Sequence, residues 1–337
     1  MNKRTTINDL AKALELSPTL ISMVLNGKGD ENKISKETQK RVNEMARKLN
    51  YTPNQNARAL RTGKTQVIGL IVPDISNAFY SKLARELEDK LEHKGYRLIL
   101  GSTDEDAEKE KKLIKLFIDQ NVDGIIAAST LNNDKAYLEI QQAGKAVLLF
   151  DRVFSKSQIP SVSVENAHGA FMAVENLHKK GKKNIGYLTL TPQHISPLAD
   201  RKTGFNEAIK KFKLKSFASQ ICEIKFDEVY SGFEKAFSAW IKKNATIDAM
   251  VVANNSLTFQ LMKFIKANPK QKQFAIISFD DHMAFELSSP PISAIAQPVD
   301  EIANSTVEVL IELLENKAPK SKKIVLPVSL VLRESHK

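Results

Sequence analysis

The chain has 337 residues, 42% of them hydrophobic and 26% charged, and a formal net charge of +11. This is a globular composition with room for more than one domain, not a disordered or fibrous one. A single cysteine, Cys222, excludes an intrachain disulfide and a Cys-based zinc site, and no run approaches the roughly 18 apolar residues of a membrane span.

The charge is unevenly placed. Residues 1–65 carry 13 Lys/Arg against 6 Asp/Glu, whereas the remainder carries 37 against 33. A basic N-terminal unit on a nearly balanced body points to a polyanion partner at one end, or to a merely cationic surface. The opening "MNKRTTINDLAKAL" lacks the apolar core of a secretory signal, so the expected location is the cytoplasm.

Three short helices are readable at the N-terminus. Thr6 with Asp9 forms a capping-box pattern ahead of Leu10, Ala11 and Leu14, which share a face. Ser17 caps a second helix with Pro18 at its first position, and Asn26-Gly27 ends it. Ser35 caps a third, with Val42, Met45, Ala46 and Leu49 as its apolar stripe. The second helix carries Leu20, Ile21, Val24 and Leu25 on one face, and Pro18, Thr19, Ser22, Met23 and Asn26 on the other. That second face is uncharged and of modest size, unlike a solvated face rich in Lys and Glu. Two short helices joined by a tight turn make the helix-turn-helix shape, whose second helix presents its outer face to the DNA major groove. Thr19 can hydrogen-bond a base, whereas Met23 can offer only apolar or weak sulfur contacts. Lys36, Lys40 and Arg41 are candidates for phosphate contact.

From residue 66 the pattern changes. Apolar runs at 67–72, 97–102, 124–129, 146–150, 184–190, 249–254 and 274–279 alternate with amphipathic helical stretches. Buried strands alternating with helices imply parallel sheets, whose ligands sit beyond the carboxyl ends of the strands. The residues there are polar: Asp74, Ser76 and Asn77, then Thr103 and Asp104, Asp151-Arg152, Asn254-Asn255 and Asp280-Asp281, with Phe79 and Tyr80 close behind the first strand. Carboxylates, amides, an arginine and aromatic rings together suit a polyhydroxylated ligand. Taken singly, such residues also cap the following helix, a reading that applies to Asp74 and Asp281 in particular.

The ordered motifs "VLNGK", "LNYTPNQNARALRTGKT", "IGLIVPDISNAF", "DR" after a strand, "RKTGF", "ISFDD" and "QPVDEI" resemble those of the LacI/GalR family of transcriptional regulators over nearly the whole chain. The resemblance implies an α/β protein: an all-α helix-turn-helix DNA-binding domain (1–53), a hinge helix and linker (54–65), and a two-lobed body like periplasmic sugar-binding proteins, with parallel sheets (66–337). It implies DNA contacts from Thr6, Ser17, Pro18, Thr19, Ser22, Met23 and Asn26. From the hinge it implies Asn54, Arg58, Ala59 and Leu60, with Arg61 beside a phosphate and Leu60 wedged into the minor groove. An isolated helix that short is unstable alone, and an apolar wedge at a base step bends the duplex. It also implies effector contacts from Phe79, Tyr80, Asp151, Arg201, Asn254, Asp280 and Gln297. The partners it implies are a palindromic double-stranded operator, a sugar or sugar derivative, and a second copy in a homodimer, with no membrane. No cofactor or metal is expected.

Three positions depart from the family pattern. Met23 stands where arginine is frequent, Leu20 where threonine is usual, and the connection from Asn26 to Ser35 is longer, with Asp30 and Glu31 in it. No G-x-S-x-G, H-E-x-x-H or P-loop is present, so an enzyme is not expected. A sugar-binding protein without a DNA-directed role is the alternative. Within regulators, the sign of control stays open between inducer release, corepressor dependence and activation.

Overall fold

A computed structural model describes residues 5–51, 63–192, 194–215, 220–269 and 273–337. The hinge positions Asn54, Arg58, Ala59, Leu60 and Arg61 lie outside the described residues. The chain forms two compact units, Met1–Thr65 and Gln66–Lys337.

The first unit holds α1 (Ile7–Leu14), α2 (Pro18–Leu25) and α3 (Lys36–Lys48). The capping box at Thr6 is present: its side chain accepts from the Asp9 N–H, and Asp9 Oδ2 accepts from the Thr6 N–H at 2.8 Å. Ser17 and Ser35 cap the next two helices. Leu10, Ala11, Leu14, Ile21, Val24, Val42 and Ala46 form a closed core, while Leu20, Leu25, Met45 and Leu49 are half-buried against it. The long connection is tied down rather than extended. Asp30 bonds Lys36 Nζ at 2.8 Å and Gln39 Nε2 at 2.9 Å, and Gln39 also donates to the Ile34 carbonyl. Lys36 is therefore already paired with an acid of its own unit.

The second unit runs β1 (Val67–Val72), α4 (Ala78–His93), β2 (Arg97–Ser102), α5 (Ala107–Asp119), β3 (Gly124–Ala127), α6 (Lys135–Gln142), β4 (Ala146–Phe150), β5 (Ser161–Val164), α7 (Asn166–Lys179), β6 (Ile185–Thr191), α8 (Ser196–Lys211), β7 (Ile221–Lys225), α9 (Phe233–Lys243), β8 (Ala249–Val252), α10 (Asn255–Ala267), β9 (Ala275–Phe279), β10 (Ser293–Ala296), α11 (Val299–Leu314), β11 (Lys323–Leu326) and β12 (Ser329–Val331). Two six-stranded sheets result, in the orders β11-β5-β4-β3-β1-β2 and β12-β10-β9-β8-β6-β7. The first is parallel throughout, and in the second only β12 runs antiparallel, against β10. The chain passes between the sheets three times: between β5 and β6, between β10 and β11, and between β11 and β12.

The central strands are buried on both faces, which explains why "VIGLIV" and "AVLLF" read as continuous apolar runs. Five strands give no such run. The short β5 alternates Ser with Val, β10 is rich in Ser and Ala, and β12 has only three residues. The edge strands β7 and β11 alternate exposed with covered positions, the exposed ones being Glu223 and Lys225 in β7 and Lys323 and Val325 in β11. No helix among the described residues is long and apolar enough to cross a membrane.

Cys222 lies on β7 and is buried. Burial, with a smaller contribution from Glu223, pushes its thiol up to about 12. The thiolate is the reactive form. The native protein should therefore leave Ellman's reagent unreacted, and one equivalent of thiol should appear only on unfolding in denaturant.

Candidate functional site

Two surfaces carry the residues singled out in the sequence, one in each unit. On α2, Pro18 and Thr19 are exposed, Ser22 and Met23 are half-exposed, and Asn26 is exposed. The outer face of this helix is thus presented as the spacing predicts. Some polar groups on it are already engaged. Thr6 turns both its hydroxyl and its N–H onto Asp9, so its role here is to cap α1. Ser17 Oγ accepts from the Leu20 N–H, and Asn26 Nδ2 donates to the Ser22 carbonyl at 2.6 Å. Of the hydroxyls on α2's exposed surface, Thr19 is left best placed to meet a base edge.

In the second unit, the carboxyl ends of the strands converge on a cavity of about 610 Å³. It lies at the switch points of the two sheets, where β1 is flanked by β2 and β3, and β6 by β7 and β8. All seven candidate effector residues line it: Phe79, Tyr80, Asp151, Arg201, Asn254, Asp280 and Gln297.

Each sheet contributes a Phe-Asp pair at a strand end. Asp151 follows Phe150 of β4 and Asp280 follows Phe279 of β9, with φ of 54° and 66°. Aspartate tolerates this left-handed conformation better than most residues. The turn carries each carboxylate into the cavity directly after a buried strand.

Asp151 Oδ2 accepts from the Tyr80 hydroxyl at 2.7 Å. Burial holds the Tyr80 phenol well above its ordinary range, and the neighbouring acids reinforce this against Arg152, so Tyr80 stays a donor. Asp280 Oδ1 accepts from Gln297 Nε2 at 2.6 Å. Burial raises the Asp280 carboxyl above the usual carboxylate range, opposed by Arg201 and Gln297. Gln297 Oε1 is buried with no hydrogen-bond partner among the described residues, an acceptor that a ligand hydroxyl can satisfy.

Arg201 projects from α8 and is only 4% exposed. Its Nε donates to Asn166 Oδ1 at 2.8 Å, and its Nη1 donates to the Ala253 carbonyl at 2.6 Å and lies 3.8 Å from Asp280. The guanidinium carbon sits 3.5 Å from the centroid of the Phe279 ring. Asn254 caps α10 by accepting from the Leu257 N–H, which leaves its amide nitrogen for the cavity.

Two neighbours fall to structural roles. Asp74 Oδ1 accepts from Ser76 in a local turn, though both still line the cavity. Asp281 is held by both terminal nitrogens of Arg333 and is not part of the lining. Other lining residues were not among the seven effector candidates: Arg152, noted only as following a strand, its neighbour Glu105, Lys225 at the end of β7, and Phe226, Asp227 and Tyr230 beyond it. The last four sit at or beyond the end of the edge strand that the apolar runs did not reveal. No group of three metal-binding side chains occurs among the described residues.

The position of Arg201 depends on a close helix crossing. A Cβ on Gly204, one turn along α8, would overlap the Ala167 carbonyl oxygen of α7. Backbone cannot yield as a flexible side chain can. Gly204→Ala should therefore destabilise the body by about 1–3 kcal/mol, the usual range for overpacking. Urea unfolding checks this, and an unchanged midpoint would contradict the close approach.

Comparison with known proteins agrees with this geometry. Residues 6–54 match the model for bacterial regulatory proteins of the lacI family, and residues 68–318 match the periplasmic binding protein domain. A ribose operon repressor from Halalkalibacterium halodurans is 30% identical over 335 residues, covering 99% of this chain and 97% of the relative. Among solved structures, a periplasmic binding protein/LacI transcriptional regulator from Alkaliphilus metalliredigens, complexed with D-xylulofuranose, aligns with a TM-score of 0.69 at 27% identity. It covers 80% of this chain and 98% of that one. The lac repressor dimer bound to operator and the anti-inducer ONPF shares the fold, with a TM-score of 0.84 at 21% identity over 99% of both chains. The chain belongs to the lacI family of bacterial regulatory proteins.

Proposed function

We propose that the protein is a sequence-specific repressor that acts in the cytoplasm and releases its operator when a small carbohydrate-like effector closes the cavity of the body. The observation that carries this reading is the pairing of an outward-facing α2, on a basic unit, with a cavity of about 610 Å³ at the strand ends of a separate body, into which the buried polar side chains Asp151, Arg201, Asn254 and Asp280 are gathered. The cavity suits a polyol. Asp151 and Asp280 each keep acceptor capacity toward it, Arg201 and the Asn254 amide supply donors, and Phe79 and Tyr80 offer ring surface. Two similar proteins point the same way: one is a ribose operon repressor, and one solved structure is a complex with D-xylulofuranose. The reading assigns binding, not catalysis, to the cavity.

In this account, a homodimer sets two α2 helices into successive major grooves of a palindrome. Residues 54–60 cross the minor groove between them, with Leu60 as the wedge and Arg58 beside a phosphate. Met23 cannot offer the paired donors that arginine gives guanine. The half-site base facing Met23 is therefore not guanine.

Selection from random duplex DNA should enrich a palindrome, with affinity falling steeply as salt rises. Guanine at the position facing Met23, retained by Met23→Ala, would contradict the assignment of that side chain. Two variants separate the halves of the mechanism. Leu60→Ala should lose operator affinity, by about 1–3 kcal/mol in line with one lost site contact, while keeping effector affinity. Arg201→Lys keeps a buried cation but loses the guanidinium fork. It should keep operator affinity while its response to effector falls about tenfold or more. Fluorescence anisotropy with and without effector reads both. Normal operator binding by Leu60→Ala would remove the wedge, and a normal response of Arg201→Lys would remove the effector assignment.

A further inference from the structure

Arginine in a sugar site can serve a hydroxyl, a carboxylate or a phosphate, and residue type alone does not decide between them. The partners of each cation do. Among the described residues lining the cavity, three are cationic: Arg152, Arg201 and Lys225. Arg152 is gripped by Glu105 in a two-bond fork, Nη1 to Oε2 and Nη2 to Oε1, each at 2.6 Å. Both side chains are largely buried, at 7% and 15% exposure. Arg201 is shared among Asn166, the Ala253 carbonyl and Asp280. Lys225 bonds Glu228 at 3.1 Å. Against these three cations the lining sets six carboxylates.

We propose that Glu105 is a specificity-determining residue of the cavity: by occupying the fork of Arg152 it restricts the effector to uncharged polyols and excludes phosphorylated or acidic sugars. This inference rests on the reading of the cavity as an effector site.

The physical reasons are two. A phosphate or carboxylate is recognised by a planar guanidinium presenting two parallel N–H groups, and Glu105 already fills that edge of Arg152. An anion entering the cavity would also be brought close to the buried carboxylates Asp151 and Asp280 and the largely buried Glu105, and like charges juxtaposed away from water repel. A neutral hydroxyl meets neither obstacle. It can accept from the remaining donors and donate to the acceptor capacity left on Asp151 and Asp280.

The backbone supports a dedicated placement of Glu105. Asp104 and Glu105 are consecutive non-glycine residues with φ of 53° and 60°, just after the edge strand β2. Such residues persist where surrounding contacts over-determine them. Here Lys109 holds Asp104 on one side, and Arg152 holds Glu105 on the other. The guanidinium of Arg152 also lies 5.6 Å from the Phe226 ring centroid, so the pair meets a residue that follows β7 of the other sheet.

The test uses the full chain as wild type, Glu105→Gln, and Glu105→Gln combined with Arg152→Gln. Cooperative thermal unfolding is checked first, and Glu105→Ser replaces Glu105→Gln if that variant melts below the assay temperature. The probes are uncharged pentoses and hexoses, their phosphates, and inorganic phosphate, titrated by calorimetry. Wild type should bind an uncharged sugar at least about tenfold more tightly than its phosphate. Glu105→Gln should gain about tenfold or more for inorganic phosphate and the sugar phosphates, and the double variant should lose that gain. A wild-type preference for the phosphate, or no gain of anion affinity in the folded Glu105 variant, would overturn the proposal. If no sugar of either kind binds wild type, the effector reading fails, while the phosphate gain in Glu105→Gln still decides the role of Glu105.

Discussion

A guanidinium buried at 4% exposure is the constraint around which the body is organised. Arg201 cannot leave water without partners, because an uncompensated buried charge costs several kcal/mol. The fold supplies them from the ends of three elements: Asn166 at the start of α7, the Ala253 carbonyl after β8, and, at the end of β9, Asp280 and the face of Phe279. Meeting that requirement fixes where α8 lies, and it aligns the ends of β8 and β9. The tight passage of Gly204 over Ala167 is what lets α8 come that close to α7. The cavity is thus lined by residues whose positions the interior has already set, which is the preorganisation a selective binding site needs.

The two sheets solve the same problem in parallel ways. Each ends a central strand in Phe-Asp with the aspartate in a left-handed turn, and each sends the carboxylate to the shared cavity. A hydrogen-bond donor steadies each one, Tyr80 for Asp151 and Gln297 for Asp280. Gln297 sits in one of the three crossings between the sheets, so a ligand satisfying its buried Oε1 would touch a connecting segment as well as a sheet end. A ligand held by residues of both sheets favours the arrangement in which those ends lie close, which is how binding can bias a conformational equilibrium.

Much of this was legible in the sequence, for identifiable reasons. The N-terminal helices carry their own start signals in Thr6, Ser17 and Ser35, and their apolar stripes recur at helical spacing through Leu10, Leu14, Ile21, Val24, Val42 and Ala46. Doubly covered strands announce themselves as unbroken apolar runs, and polar residues after most of them, such as Asp74, Asp151, Asn254 and Asp280, mark the cavity, whereas Ser129 and Thr130 after β3 turn to Glu110. The edge strand β7 carries no such run, and with it Lys225, Phe226 and Asp227 went unseen. The fork between Arg152 and Glu105 joins residues 47 positions apart, and nothing local to either shows that they meet. The dual use of Asn254, cap and cavity wall at once, likewise depends on where its second face points. Sequence spacing located Asp151, Asn254 and Asp280; only packing revealed which of their hydrogen-bonding groups remain for a ligand.

The central claim is that the cavity and the DNA-binding surface share one conformational equilibrium. The most direct measurement is reciprocal: the dissociation constant of the selected operator with and without a saturating uncharged sugar, and that of the sugar with and without saturating operator. The account predicts that each ligand weakens the other by the same factor, as linkage requires. A sugar that fills the cavity and leaves operator affinity unchanged would contradict it.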